Sequence, residues 1–248
     1  MKIALCLSGQ PRFVEEVAPF ILKNVCDGYD VDVFCHFWFD EKLQTEPYKF
    51  GGEWNNQRIP TNAVEKVFDI YKPIAYRIES SKSFVDSLVP FQPSLERYWY
   101  GSLEDPDQLG FRNRTINNCL SYFYRLNEVN KLKKEYEYAN DFKYDWVVRC
   151  RTDTVLHTKI EFESYNPSVI NFSFLQGQPD GMINDWFDFA GSKEMDVFMS
   201  VFPVWQLILE KCMKETGAWC HELMHRKMVD SFGIGIQGHP IHITLPRF

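Results

Sequence analysis

Apolar and polar positions along the chain change period several times, and each change marks an element. Residues 2–7 are a short unbroken apolar run ending at Ser8-Gly9, which predicts a buried parallel strand. Residues 12–26 carry Val14, Val17, Ala18, Ile21 and Val25 at helical spacing, with Pro19 as a kink. Residues 31–39 predict a second strand, 61–71 a helix and 73–79 a third strand. Strands alternating with helices predict a parallel sheet with helical crossovers. Residues 80–114 are rich in Ser, Pro, Asp, Gly and aromatics and predict a long irregular insertion. An amphipathic helix follows, with Ile116, Cys119, Leu120, Phe123, Leu126 and Val129 on one side. Lys131, Lys133 and Lys134 fall on a side predicted to be solvated.

Residues 144–150 predict a further strand, ending in Arg-Thr-Asp. The last third predicts strands over 169–175, 186–190 and 241–245, and helices over 192–202, 203–214 and 219–232. The reading is one α/β domain over residues 1–248, with a mostly parallel central sheet flanked by helices and a less regular C-terminal half.

Composition narrows the function. The chain has 248 residues, 45% apolar and 16% aromatic, which excludes disorder, collagen and coiled coil. Its net charge of −7 argues against nucleic-acid binding, which needs a basic surface. The longest apolar stretch, 197–209, is broken by Ser200, Pro203 and Gln206, so no transmembrane segment is expected. The first apolar run stops at Leu7, too early for a signal-peptide core. Seven Cys with no CxxC pair predict reduced thiols, and with them a cytoplasmic protein. Cys6, Cys35 and Cys150 lie in strand-like runs and predict small core residues.

The segment Asp145-Trp-Val-Val-Arg-Cys-Arg-Thr-Asp153 carries the strongest chemical signal. Alternation along a strand puts Arg149, Arg151 and Asp153 on one side. Ligands of open α/β sheets bind beyond the carboxyl ends of strands. Two guanidiniums can clamp phosphate oxygens, and a carboxylate beside them can hold Mn²⁺ or Mg²⁺. An Arg–Asp ion pair capping the sheet is the alternative. The first strand ends in Ser8-Gly9-Gln10-Pro11-Arg12, where Gly9 lets a ligand approach the backbone. The turn matches neither GxGxxG nor a P-loop.

Four motifs occur in order: Ile3-Ala-Leu-Cys-Leu-Ser-Gly-Gln-Pro-Arg12, Asp32-Val-Phe-Cys-His-Phe-Trp38, Tyr144-Asp-Trp-Val-Val-Arg-Cys-Arg-Thr-Asp153 and Asn184-Asp-Trp-Phe-Asp-Phe-Ala-Gly-Ser192. The set resembles a family of GT-A-type glycosyltransferases of bacteria and large viruses, related to lipopolysaccharide-synthesis proteins. The resemblance runs from Ile3 to about Ile236 and leaves out residues 80–112. It implies a GT-A fold, a nucleotide-sugar donor and a glycan or lipid-linked glycan acceptor, in a setting such as lipopolysaccharide, capsule or viral glycan synthesis. The nucleotide would occupy about residues 1–153, and the sugar and acceptor about 154–248. In such enzymes an Asp-X-Asp motif holds the cation that bridges the donor diphosphate. Here Arg151-Thr-Asp153 stands in that place with a single Asp. By the resemblance Ser8, Gly9, Gln10 and Arg12 line the nucleotide site with Arg149 and Arg151, and Asp153 is the metal ligand. Residues 185–191 face the sugar and acceptor.

An inverting transfer also needs a carboxylate to take the acceptor proton. Asp185 is the first candidate, followed by Asp188 and Glu222; a turn or helix cap is the alternative role for Asp185. Trp38, Trp54, Tyr98, Trp99 and Tyr100 are candidate platforms for a sugar face, although Trp38 suits interior packing better. His36 reads as a core histidine, with ligand contact as the alternative.

Two other functions compete. His221-Glu-Leu-Met-His225 matches HExxH, in which both His would bind zinc and Glu222 would act as base. Its context is poor: Met228 replaces the Gly of the extended pattern, and no Glu follows Glu222, so only Asp230, His239 or His242 could be a later third ligand. The missing second acid of Arg151-Thr-Asp153 keeps a non-catalytic, GT-A-like carbohydrate-binding module in play.

Overall fold

The structure, a computed structural model, describes residues 1–45, 58–84, 107–174 and 182–246; the side chains of Leu43 and of residues 107–116 lie outside the description. The chain opens with β1 (Lys2–Gly9) and α1 (Val14–Ile21). A π-turn over Leu22–Cys26 continues α1 just after Pro19, which has no N–H to give the helical ladder. Next come β2 (Asp30–Trp38), the short α2 (Glu41–Thr45), α3 (Ala63–Tyr71) and β3 (Ala75–Glu79).

The long α4 (Asp107–Ala139) leads into β4 (Trp146–Cys150) and β5 (Val155–Leu156). The C-terminal part holds β6 (Val169–Ser173), β7 (Phe187–Ala190), α5 (Ser192–Phe198), α6 (Trp205–Thr216), α7 (His221–Ser231), β8 (Gly235–His239) and β9 (Ile243–Thr244). One seven-stranded sheet runs β3-β2-β1-β4-β7-β6-β8. Its first four strands are parallel, β7 is antiparallel to both neighbours, and β6 and β8 are parallel. A separate ribbon pairs β5 with β9.

Strand alternation divides the core in two. Ile3, Leu5 and Leu7 face one way, packing with Val14, Val17 and Ile21 of α1. Ala4 and Cys6 face the other way, toward Phe123, Leu126 and Val129 of α4 and the apolar sides of α5, α6 and α7. The result is a mostly parallel α/β sheet covered by helices on both faces. Six of the seven Cys are buried and all seven are free thiols.

Two expectations are corrected. Residues 107–114, placed in an irregular insertion, are helical; the break signal of Gly110 costs a 33-residue helix only about 1 kcal/mol. Lys133, placed on a solvated face, is fully buried and ion-paired to Glu137 at 3.1 Å and Asp196 at 2.8 Å. It lies four residues after Val129, on the stripe that packs against the sheet. Lys131 and Lys134 are exposed. Trp54, Tyr98, Trp99 and Tyr100 lie outside the described residues. Among the described residues no helix is long and apolar enough to cross a membrane.

Candidate functional site

From β1 the chain moves outward to β2 and β3, then returns to place β4 on the other side of β1. The space beyond the carboxyl ends of β1 and β4 is therefore a switch point, the usual ligand position in such sheets. Leu7 pairs with Cys150, so residues 8–12 and 151–153 emerge side by side. Thr152 ties the two turns together. Its hydroxyl donates to the Gln10 carbonyl at 2.9 Å and accepts the Arg12 amide at 3.2 Å. Ser8 is buried at the strand end, and the Gln10 side chain accepts from the Arg12 guanidinium. Gly9 has φ +135°, a conformation that side chains resist.

Arg151 grips Asp153 as a fork: Nε donates to Oδ1 at 2.7 Å and Nη2 to Oδ2 at 2.9 Å. Arg12 Nη1 is 3.9 Å from Asp153 Oδ2. Burial pushes the Asp153 carboxyl up, but Arg151 outweighs it and holds the group below its ordinary value. A third guanidinium arrives from α4. Arg125 lies 5.3 Å over the Trp38 ring, donates through Nε to the Ser121 carbonyl at 3.1 Å, and brings Nη1 to 3.8 Å from where a Cβ on Gly9 would sit. No carboxylate among the described residues forms an ion pair with Arg125. Burial, then Arg12 and Arg151 beside it, lower it to about 10.

A second cluster adjoins this one. Asp185 Oδ2 is 3.7 Å from Arg151 Nη1 and 3.6 Å from His221 Nε2. His221 Nδ1 lies 3.2 Å from Glu222 Oε2 and 3.6 Å from Cys119 Sγ. Burial opposes the charge on His221, yet Cys119, Glu222 and Asp185 raise it well above its ordinary value. Burial likewise opposes the charge on Asp185, and His221 and Arg151 overcome it, so Asp185 is lowered.

Arg149 and Asp188 stand beneath the site. Both are fully buried and joined across β4 and β7. Arg149 also donates to the carbonyls of Asp185 and Asn184, and so fixes the backbone that carries Asp185. Trp38 is buried, stacked on Phe84 at 6.2 Å, and serves as the seat of Arg125. His36 is a buried histidine bonded to Glu79 at 2.9 Å.

The HExxH residues point to different tasks. His221 turns to Asp185, while His225 is packed on Phe198 at 4.1 Å with Tyr122 and Phe123 beside it. The residues as arranged do not fit a divalent cation either. Both Asp153 oxygens accept from Arg151, Asp188 is taken by Arg149, and among the described residues no three His, Cys, Asp or Glu groups are placed to hold a metal ion together.

The two turns, Asp153 and Asp185 stand out in the sequence; Arg125 and the contact of Asp185 with His221 do not. Arg125 carries a readable signal: it is three residues after Tyr122 and four before Val129, both buried, so it is a cation on a core-facing stripe. Among known proteins, no family model and no curated sequence matches this chain.

Proposed function

We propose that the protein is a glycosyltransferase acting on a nucleotide-sugar donor and a glycan or lipid-linked glycan acceptor. The observation that carries the reading is the meeting of Arg12, Arg125 and Arg151 at the switch point, beside the solvent-reachable Asp185. The guanidiniums neutralise the departing nucleoside diphosphate, fixed in place before charge develops. The acceptor oxygen attacks the anomeric carbon, and the bond from that carbon to the diphosphate breaks with its electron pair on the phosphate. The acceptor proton passes to Asp185. That hydroxyl becomes strongly acidic as the new bond forms, so an ionised carboxylate of low basicity is sufficient. Asp185 suits the role better than its rivals: its side chain is 25% exposed against 13% for Glu222, and Asp188 is sealed.

A thermal-shift panel of UDP, GDP, CMP and dTDP sugars tests the reading. One nucleotide class is expected to raise the melting temperature of the wild type and not of Arg151→Ala. No shift with any nucleotide, with or without Mn²⁺, in a folded sample would overturn it.

A further inference from the structure

We infer that this site takes diphosphate-linked donors and holds the diphosphate with arginines alone, Arg125 being the residue that selects it, without a bridging divalent cation. The inference rests on the donor-site reading above and extends it to substrate class and metal requirement.

Charge comes first. Arg12, Arg125 and Arg151 share one neighbourhood, in which the close carboxylates among the described residues are Asp153 and, 3.7 Å from Arg151, Asp185. Among the described residues the three guanidiniums outnumber these two carboxylates, and a diphosphate diester brings two negative charges to them. A divalent cation at the same place would add positive charge where it is already in excess. Asp153 would also have to release a two-point fork from Arg151 to bind one.

Geometry agrees. Arg125 is held by its edges and not by a counter-ion: the Trp38 ring supports its face, and the Ser121 carbonyl takes Nε. Among the described residues neither terminal nitrogen of its fork has a hydrogen-bond partner, which leaves both for phosphate oxygens. Nη1 lies 3.8 Å from where a Cβ on Gly9 would sit. Arg12 and Arg151 flank the same turn from β1 and β4. A monophosphate diester, the linkage of CMP-sugars, brings one negative charge to the three guanidiniums where a diphosphate diester brings two. The pocket therefore selects diphosphate donors over monophosphate ones.

The test is calorimetric titration of UDP, GDP, dTDP, CMP and inorganic pyrophosphate in EDTA, repeated with Mn²⁺, on wild type, Arg125→Gln, Arg125→Lys and Asp153→Asn. At least one nucleoside diphosphate is expected to bind in EDTA about as tightly as with Mn²⁺, while CMP does not. Arg125→Gln should weaken binding about tenfold or more, and Arg125→Lys by less. With Mn²⁺ present, Asp153→Asn should bind about as tightly as it does in EDTA, whereas a metal-bridged site would lose its Mn²⁺-dependent affinity. Circular dichroism checks that each variant is folded; Arg125→Lys carries the comparison if Arg125→Gln is not. Binding that needs Mn²⁺ overturns the inference and leaves the donor-site reading standing. Full affinity in Arg125→Gln, or CMP binding equal to the diphosphates, removes the assignment of Arg125. No binding under any condition overturns both readings.

Discussion

Replacing Asp188 with Ala leaves the Arg149 guanidinium buried without its counter-ion. Both groups are fully buried, and Arg149 lies on β4 directly opposite Asp188 on β7. Breaking a buried pair from one side costs about 3–5 kcal/mol, because the remaining charge keeps its desolvation cost and loses its partner. Here the lower end applies. Arg149 still donates to the Asn184 and Asp185 carbonyls, and the Tyr122 ring lies 5.5 Å from the guanidinium. A loss of about 3 kcal/mol lowers the melting temperature of a chain this size by about 6–12 °C. Urea denaturation of wild type and Asp188→Ala measures it, with a lower midpoint at an unchanged slope expected. The double variant Arg149→Met with Asp188→Leu removes both charges and should recover most of the stability. On the proposed transferase reading it should not recover activity, since the Asn184–Asp185 backbone has lost its anchor. A loss under about 1 kcal/mol in Asp188→Ala would refute the argument from uncompensated burial.

Other variants test neighbouring groups. Asp185→Asn should lower turnover about 10²–10⁴-fold with donor affinity little changed, as measured by steady-state kinetics and titration. His221 has a raised folded value, so its stabilising contribution is fully present below about pH 6.5 and is lost as pH rises through that folded value. The stability gap between wild type and His221→Gln, read by urea midpoints across pH, should therefore be largest in mild acid and shrink in alkali; a flat gap refutes the charge assignment. Lys133→Met should cost about 2–3 kcal/mol, less than a full pair, because Lys143 still reaches Glu137 at 2.8 Å.

Periodicity made the α/β architecture legible wherever one face of an element meets the core. Ile3, Leu5 and Leu7 alternate with Ala4 and Cys6 across the two faces of β1, and the chain shows it. β8 gave no such signal. Gly-Ile-Gln-Gly-His contains one large apolar residue, and its place in the sheet comes from pairing with β6. The antiparallel insertion of β7 between β4 and β6 was equally silent, because direction is set by tertiary pairing and not by local pattern. At the site, the residues legible in advance are those adjacent in sequence to strand ends. His221 reaches Asp185 from α7, and nothing near either residue in the chain announces that contact.

Arg125 and Lys133 show what the helical stripe of α4 encodes. Both follow the spacing of Tyr122, Leu126 and Val129, so both cations are carried toward the sheet by the same periodicity that carries the apolar residues. Their surroundings then diverge. Lys133 meets Glu137, Asp196 and the Ser192 hydroxyl, which complete its bonding within the protein. Arg125 meets an aromatic face, a carbonyl and two further guanidiniums. Collecting three like charges opposes folding; Asp153 and Asp185 offset part of that cost, and an anion bound at the proposed site would offset more. A cation that brings its own carboxylates inward is part of the scaffold. One seated on Trp38 beside two other arginines, at the switch point of a parallel sheet and with no carboxylate ion-paired to it among the described residues, is the cation that the proposed anion site requires.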